Sequence, residues 1–396
     1  MKRLLRIAFN IAVNSLMPIL VWFVLGLLVD KNLVNVFTLT YPFQFIYTTL
    51  NAIFVTGANI CAVKEQNKNE IFSGMTIGTI ISFIIFGAGI LKIDNYIEYM
   101  NMDPGIYREF ASYSLALFFL QLVLSFVFEK LYYEEKEKEA NKYCVTFNFL
   151  NFGTLIITSL IAKNKLVIIS ITLAVLLVYL LSILIKQYEK FKLKVHILRY
   201  IKYNAVDIAN CIMFFIIFLF GLKNALSFGE KYIVALNFVA LITDTQWDAF
   251  DAIATVAKVD ISKNRFNYIE HRNNGYKLLG ILLSTTFLML LISCNFYDLD
   301  IGITLIYLSF ELINFIIYPI YRLKTCWLQL EYNPKKMVGV KLSSDVLRFI
   351  ISLLRTPFCT GLGQVFSSIY QFITFGLVFK KHYKVDKEGM IITNEI

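Results

Sequence analysis

Charge is scarce in this chain. Only 17% of its 396 residues are Asp, Glu, Lys or Arg, against about 25% in a soluble domain. That excludes a soluble enzyme and a disordered chain. Histidine is scarcer still: His196, His271 and His382 are the full set, and all fall between apolar runs. They read as solvated loop residues. The six cysteines stand far apart with no C-x-x-C, which excludes a disulfide framework and a cysteine zinc site. No G-x-x-x-x-G-K-[ST], H-E-x-x-H or G-x-S-x-G occurs. The chain therefore lacks the phosphate cradle of an ATPase, the zinc helix of a protease and the nucleophile elbow of a hydrolase. It is read as no enzyme and as needing no organic cofactor.

What remains is apolar. Hydrophobic residues make up 58% of the chain and the mean hydropathy is +0.64. The excess recurs in runs of about twenty residues, long enough to cross a bilayer as helices. Strands of a membrane barrel alternate in shorter segments, so a barrel is excluded. The runs predict twelve spans, at 8–29, 33–60, 71–91, 107–131, 143–162, 166–185, 200–222, 232–256, 276–296, 301–322, 337–355 and 358–379. The fold class is an all-α polytopic membrane protein. The first run is too long for a signal h-region, so no cleavable leader is expected.

The net charge of +10 would suggest a nucleic-acid partner in a soluble protein. Here its distribution gives topology instead. With the N-terminus inside, the inner segments hold 29 of the 38 basic residues and the outer ones eight, with Arg348 inside a span. This follows the positive-inside rule and places both termini in the cytoplasm. No nucleic-acid partner is expected. The composition resembles that of a low-GC bacterial genome, which points to a bacterial cytoplasmic membrane, with the chain expected as a monomer among lipids.

The chain divides into 1–195, spans one to six, and 196–396, spans seven to twelve. Asn51-Ala52-Ile53 in span two matches Asp251-Ala252-Ile253 in span eight, near two hundred residues on. Such an offset fits a parallel duplication of six helices, a common transporter plan.

Acids inside spans are costly and mark function by default. They cluster in the second half: Asp207, Asp244, Asp248, Asp251, Glu311 and Asp345. The spacing of Asp244, Asp248 and Asp251 puts them on one face of span eight. That face reads as the wall of a cation-attracting substrate cavity, with Trp247 beside it to stack on an organic cation. The alternative is an acid set neutralised by Lys258, Arg348 or another basic side chain. Tyr307 and Glu311 lie four apart and share a face of span ten, where a carboxylate and a phenol can hold Na⁺ or trade a proton.

These residues bring a resemblance into view. Val234-Ala235-Leu236-Asn237-Phe238, Val55-Thr56-Gly57-Ala58-Asn59, Met102-Asp103-Pro104 and Tyr307-Leu308-Ser309-Phe310-Glu311 resemble segments of the multidrug and toxic compound extrusion (MATE) family, NorM-like, within the wider flippase and exporter superfamily. The resemblance covers nearly the whole chain. It implies two six-helix lobes and a secondary-active antiporter that exports organic cations or other xenobiotics by alternating access. It also implies a coupling site for Na⁺ or H⁺ at Asp207, Tyr307 and Glu311. The acidic stripe of span eight departs from the family, and the first helix lacks the acid of the archaeal branch. Two other readings stay open. A lipid-linked oligosaccharide flippase would want a basic cavity. A polytopic transferase would want metal-binding acids in a loop, for which Asp298 and Asp300 are the candidates.

Overall fold

The computed structural model describes residues 1–29, 33, 35–99, 103–162, 164–194, 196–294 and 300–394, and some side chains inside the helices are not described. Among the described residues the fold is helical apart from one short hairpin. The chain forms two compact units, Phe9–Ile201 and Met1–Ala8 with Lys202–Ile396. Among the described residues seven helical segments are long and apolar enough to cross a membrane: Phe43–Lys64, Asn69–Leu91, Pro104–Tyr133, Glu137–Ile161, Lys165–Gln187, Ile301–Glu331 and Cys359–His382.

In the first unit, α1 (Lys2–Leu28) is followed by α2 (Asn35–Leu50), a π-helical stretch (Asn51–Thr56) and α3 (Gly57–Lys64). The last three run on as one rod, since both residues flanking the π stretch keep helical angles. Then come α4 (Asn69–Leu91), α5 (Ile93–Tyr99), α6 (Pro104–Tyr133), α7 (Glu137–Ile161) and α8 (Lys165–Gln187). α6 forms the centre and packs against α2, α4, α7 and α8. Its start is set locally: the Asp103 side chain accepts from the Gly105 N–H at 2.8 Å, and Pro104 fills the first helical position. Such a cap satisfies an amide the helix cannot, and proline suits a position with no intrahelical donor to lose. The outer faces of α4 and α8 carry exposed Phe83, Ile84, Val178 and Ile185. These side chains suit hydrocarbon better than water.

The second unit contains α9 (Ile197–Ser227), which begins in the first unit and bends at Asn204, where φ is −121° and ψ 21°. α10 (Glu230–Phe250) and α11 (Ala252–Ser262) meet at Asp251. α12 (Tyr268–Cys294), α13 (Ile301–Glu331), α14 (Pro334–Ser352) and α15 (Cys359–His382) complete the helices. α13 is the axis of this unit and packs against α10, α11, α12, α14 and α15. Pro319 inside it has no N–H for the Phe315 carbonyl. The Tyr276 and Tyr268 hydroxyls of α12 donate to the Ile316 and Ile320 carbonyls around that point. α15 continues into a hairpin that the hydropathy pattern does not announce, β1 (Tyr383–Val385) paired antiparallel with β2 (Ile391–Thr393). Gly389 turns it at φ +89°, a left-handed conformation that favours glycine.

Among the described residues each expected span falls on helix, span eight on two, α10 and α11, which meet at Asp251. The rods overrun the apolar runs: α13 continues nine residues past 322, to Glu331.

Candidate cation-coupling site in the second unit

α13 carries one polar and aromatic stripe. Glu311, Phe315, Tyr318, Arg322 and Gln329 are spaced four, three, four and seven apart, which keeps them on one face. Two side-chain networks hang from it.

The first centres on Glu311. The Trp247 indole N–H of α10 donates to Glu311 Oε2 at 2.7 Å, and the Gln364 amide of α15 donates to the same oxygen at 3.0 Å. The Arg348 guanidinium of α14 donates to Gln364 Oε1 at 3.2 Å. Glu311 thus takes its direct hydrogen bonds from neutral donors. The Trp247 ring stacks on Phe315 at 4.2 Å between centroids and meets Tyr318 edge-on at 4.9 Å. Phe250 closes against Phe315 and Tyr318. Offset and edge-on aromatic pairs of this kind fix ring orientation, so the indole N–H is aimed by its neighbours.

The second network lies further along α13. The Arg322 Nη1 donates to Asp207 Oδ1 at 2.8 Å, its Nε to Asp251 Oδ1 at 2.9 Å and its Nη2 to Asp251 Oδ2 at 3.1 Å. The Lys258 ammonium bonds Asp207 Oδ2 and, at 3.0 Å, Asn204 Oδ1. Tyr318 donates its hydroxyl to Asp251. Gln329 donates to Asn204 Oδ1 and to the Tyr203 carbonyl. Two carboxylates and two cations balance. The local cause is the bend at Asn204, which turns its amide oxygen onto Lys258, together with the α10–α11 break at Asp251.

Asp207 and Glu311 therefore sit in separate networks. Arg322, which holds Asp207, is eleven residues from Glu311, about 16 Å along the helix axis. Tyr307 shares the face of Glu311, but its hydroxyl donates to the Pro357 carbonyl at 2.6 Å and its ring packs on Phe358. Asp251 is the hinge residue between α10 and α11 and answers to Arg322, so the three aspartates of span eight do not line one uninterrupted helix. Asp248 is half-buried. The Asp244 side chain lies outside the described residues, as does Asp298. Asp300 caps α13 by accepting from the Ile303 N–H at 3.1 Å. Asp345 pairs with Lys341 at 2.9 Å within α14, both buried.

Sequence reasoning missed Arg322, the last residue of span ten, which entered it only as one of the inner basic residues. It also read the first half as nearly free of buried charge. In the structure Asn59 of α3 donates to Glu129 of α6, and the fully buried Glu70 accepts from the Tyr200 hydroxyl at 2.9 Å. His196, expected in solvent, stands 3.2 Å from Glu70. Glu65, Glu70 and His196 bring metal-ligand atom types within 4.8 Å of one another. Arg199 and Tyr200 already engage the two carboxylates.

No family model matches the sequence, and no curated protein matches it. Solved structures do match. One is a MATE structure in the bent conformation, with a TM-score of 0.74 at 14% identity over 96% of this chain and 95% of that one. Another is the outward-facing conformation of a multidrug resistance MATE family transporter of the MOP superfamily, with a TM-score of 0.72 at 14% identity over 96% and 95%. The chain has the MATE transporter fold. A third MATE-fold match is a MOP superfamily transporter from Pyrococcus furiosus, with a TM-score of 0.69 at 14% identity over 96% of each chain. That protein is described by a reversed polarity of its binding pocket, taken there to suggest a different function.

Proposed function

We propose that this chain is a secondary-active exporter of small organic molecules, driven by a cation gradient and working by alternating access. The observation that carries this reading is the environment of Glu311. It is an acid on a helix of the membrane-spanning kind, bonded by neutral donors through one oxygen and walled by Trp247 and Phe315. Such an acid changes charge at little structural cost, and an ion can drive a conformational change only if it binds the two states unequally. Glu311 is the residue that exchanges the coupling cation. Asp207 fixes the bend of α9, and Tyr307 holds the turn at Pro357. The aromatic wall suits an organic cation. The basic bias of the inner segments supports a bacterial cytoplasmic membrane with both termini inside.

The test is efflux of ethidium from cells expressing the chain, with Na⁺ and pH gradients imposed separately. Efflux that follows a gradient and is lost in Glu311→Gln supports the reading. Efflux untouched by that substitution removes Glu311 from the mechanism.

A flippase of lipid-linked pyrophosphate is the second reading. Lys258, Arg322, Lys341 and Arg348 put more basic groups inside this unit than the sequence suggested. Each is engaged by a protein acceptor, Asp207, Asp251, Asp345 or Gln364, which favours export. Rescue of a flippase-depleted strain would reverse that preference.

A further inference from the structure

We propose that Lys258 and Arg322 are resident counter-cations that fill the Asp207 carboxylate, so that this protein couples to a proton at Glu311 and holds no Na⁺. The inference rests on the exporter reading and names its ion.

Na⁺ is a hard cation, and hard cations are held by several oxygen ligands. Asp207 cannot supply them, because each of its oxygens already accepts from a protein cation, Oδ1 from Arg322 and Oδ2 from Lys258. The Asp251 oxygens are taken in the same way by the two remaining Arg322 donors. A guanidinium forked between two carboxylates is the arrangement its planar donors match best. Displacing it by Na⁺ would leave buried charges uncompensated.

Glu311 fails as a Na⁺ site for a different reason. Among the described residues the groups bonded to it are donors: the Trp247 indole and the Gln364 amide nitrogen. The other polar atom of that amide, Gln364 Oε1, accepts from Arg348. N–H groups do not ligate a cation. Both donors meet Oε2, and no hydrogen bond among the described residues reaches Oε1. A proton on Oε1 keeps both bonds at Oε2. The site therefore accepts H⁺ without rearrangement, and among the described residues it offers Na⁺ a single unengaged oxygen.

The charged groups on the packed helices agree. Arg348 of α14 donates to Gln364, Lys341 and Asp345 of the same helix pair with each other, and Asp248 of α10 lies next to Trp247 in the chain. Lys258 of α11 and Arg322 of α13 are taken by Asp207 and Asp251. From α12 the polar contact on this side is Thr285 with Gln246. From α15 it is Gln364 itself.

Trp247 is one of three tryptophans and bonds the carboxylate in question, so its fluorescence reports on Glu311. The full chain in lipid nanodiscs is titrated with acid at fixed ionic strength, in NaCl and in choline chloride. We expect one emission change that is absent in Trp247→Phe and in Glu311→Gln, with coinciding midpoints in the two salts. A midpoint moved to lower pH by Na⁺ would overturn the proposal, because it would show Na⁺ competing for the site. The second arm is thermal unfolding of Lys258→Gln and Arg322→Gln. A ligand that binds only the folded state raises the unfolding temperature, so NaCl should stabilise the folded variants over choline chloride and leave the original chain unmoved. Folded variants that ignore Na⁺ would overturn the role of the two cations. The salt comparison on the unaltered chain needs no variant to fold. Loss of efflux under every gradient, with this titration intact, would sink the exporter reading alone.

Discussion

Glu311 and Arg322 stand on one face of α13, three turns apart, and each organises a different set of partners. Between them Phe315 and Tyr318 pack on Trp247, and Tyr318 also bonds Asp251. A change of charge at Glu311 is thereby in contact, through two aromatic rings, with the ion network that holds α9, α11 and α13.

Breaking that network is expected to cost stability. Arg322→Gln removes the partner of two carboxylates, and unpairing a buried ion pair costs about 3–5 kcal/mol. Asp207→Asn combined with Lys258→Gln should cost less than the sum of the single changes, because they share one bond. Thermal unfolding of the four proteins in one detergent checks this. Strict additivity would mean that the pair contributes nothing.

The start of α14 is set by Asn333, whose side chain accepts from the N–H groups of Lys335 and Lys336. Asn333→Ala should destabilise by about 1 kcal/mol and Asn333→Gly by a few tenths. Equilibrium unfolding of the two variants measures the difference.

Gly57 admits no side chain without movement. A Cβ there would stand 2.8 Å from the Tyr200 carbonyl oxygen and 3.1 Å from that of Ala52. Both neighbours are backbone and yield little. Gly57→Ala should destabilise by about 1–3 kcal/mol, the usual cost of overpacking, read as a lower unfolding temperature.

Two carboxylates just beyond the span ends, Glu134 and Glu189, give a pH dependence. Bonds from Lys130 and Lys68 hold the Glu189 carboxyl below the ordinary 4.5. Burial raises Glu134, but the Lys136 and Lys68 bonds outweigh it and leave that carboxyl low as well. A depressed carboxylate contributes stability that is present above its unfolded value and is lost as pH falls through its folded value. Stability should therefore be flat down to the ordinary glutamate range and fall below it. In Glu189→Gln the fall should be shallower. Unfolding temperature followed against pH tests this, and identical acid limbs would contradict it.

The spans were legible because a bilayer demands long apolar runs, and such runs survive any tertiary context. The pairing of charges was not. Arg322 and Lys258 follow apolar stretches and count among the inner basic residues, yet α13 and α11 carry both into the packed unit, where Lys258, a candidate partner for the span-eight acids, bonds Asp207 instead. Hydropathy detects where apolar sequence stops, and a helix need not stop there. The face shared by Tyr307 and Glu311 was also legible, but a shared face does not say which acceptor a phenol chooses. Pro357 comes from another helix connection, and no spacing encodes it. Glu70 and His196 escaped notice for the same reason, being 126 residues apart in sequence.

The most direct measurement is efflux of ethidium from cells expressing the unaltered chain or Glu311→Gln, under an inward pH gradient and, separately, an inward Na⁺ gradient. The account predicts efflux driven by the pH gradient, none added by Na⁺, and loss in Glu311→Gln. Efflux that persists in Glu311→Gln would contradict it.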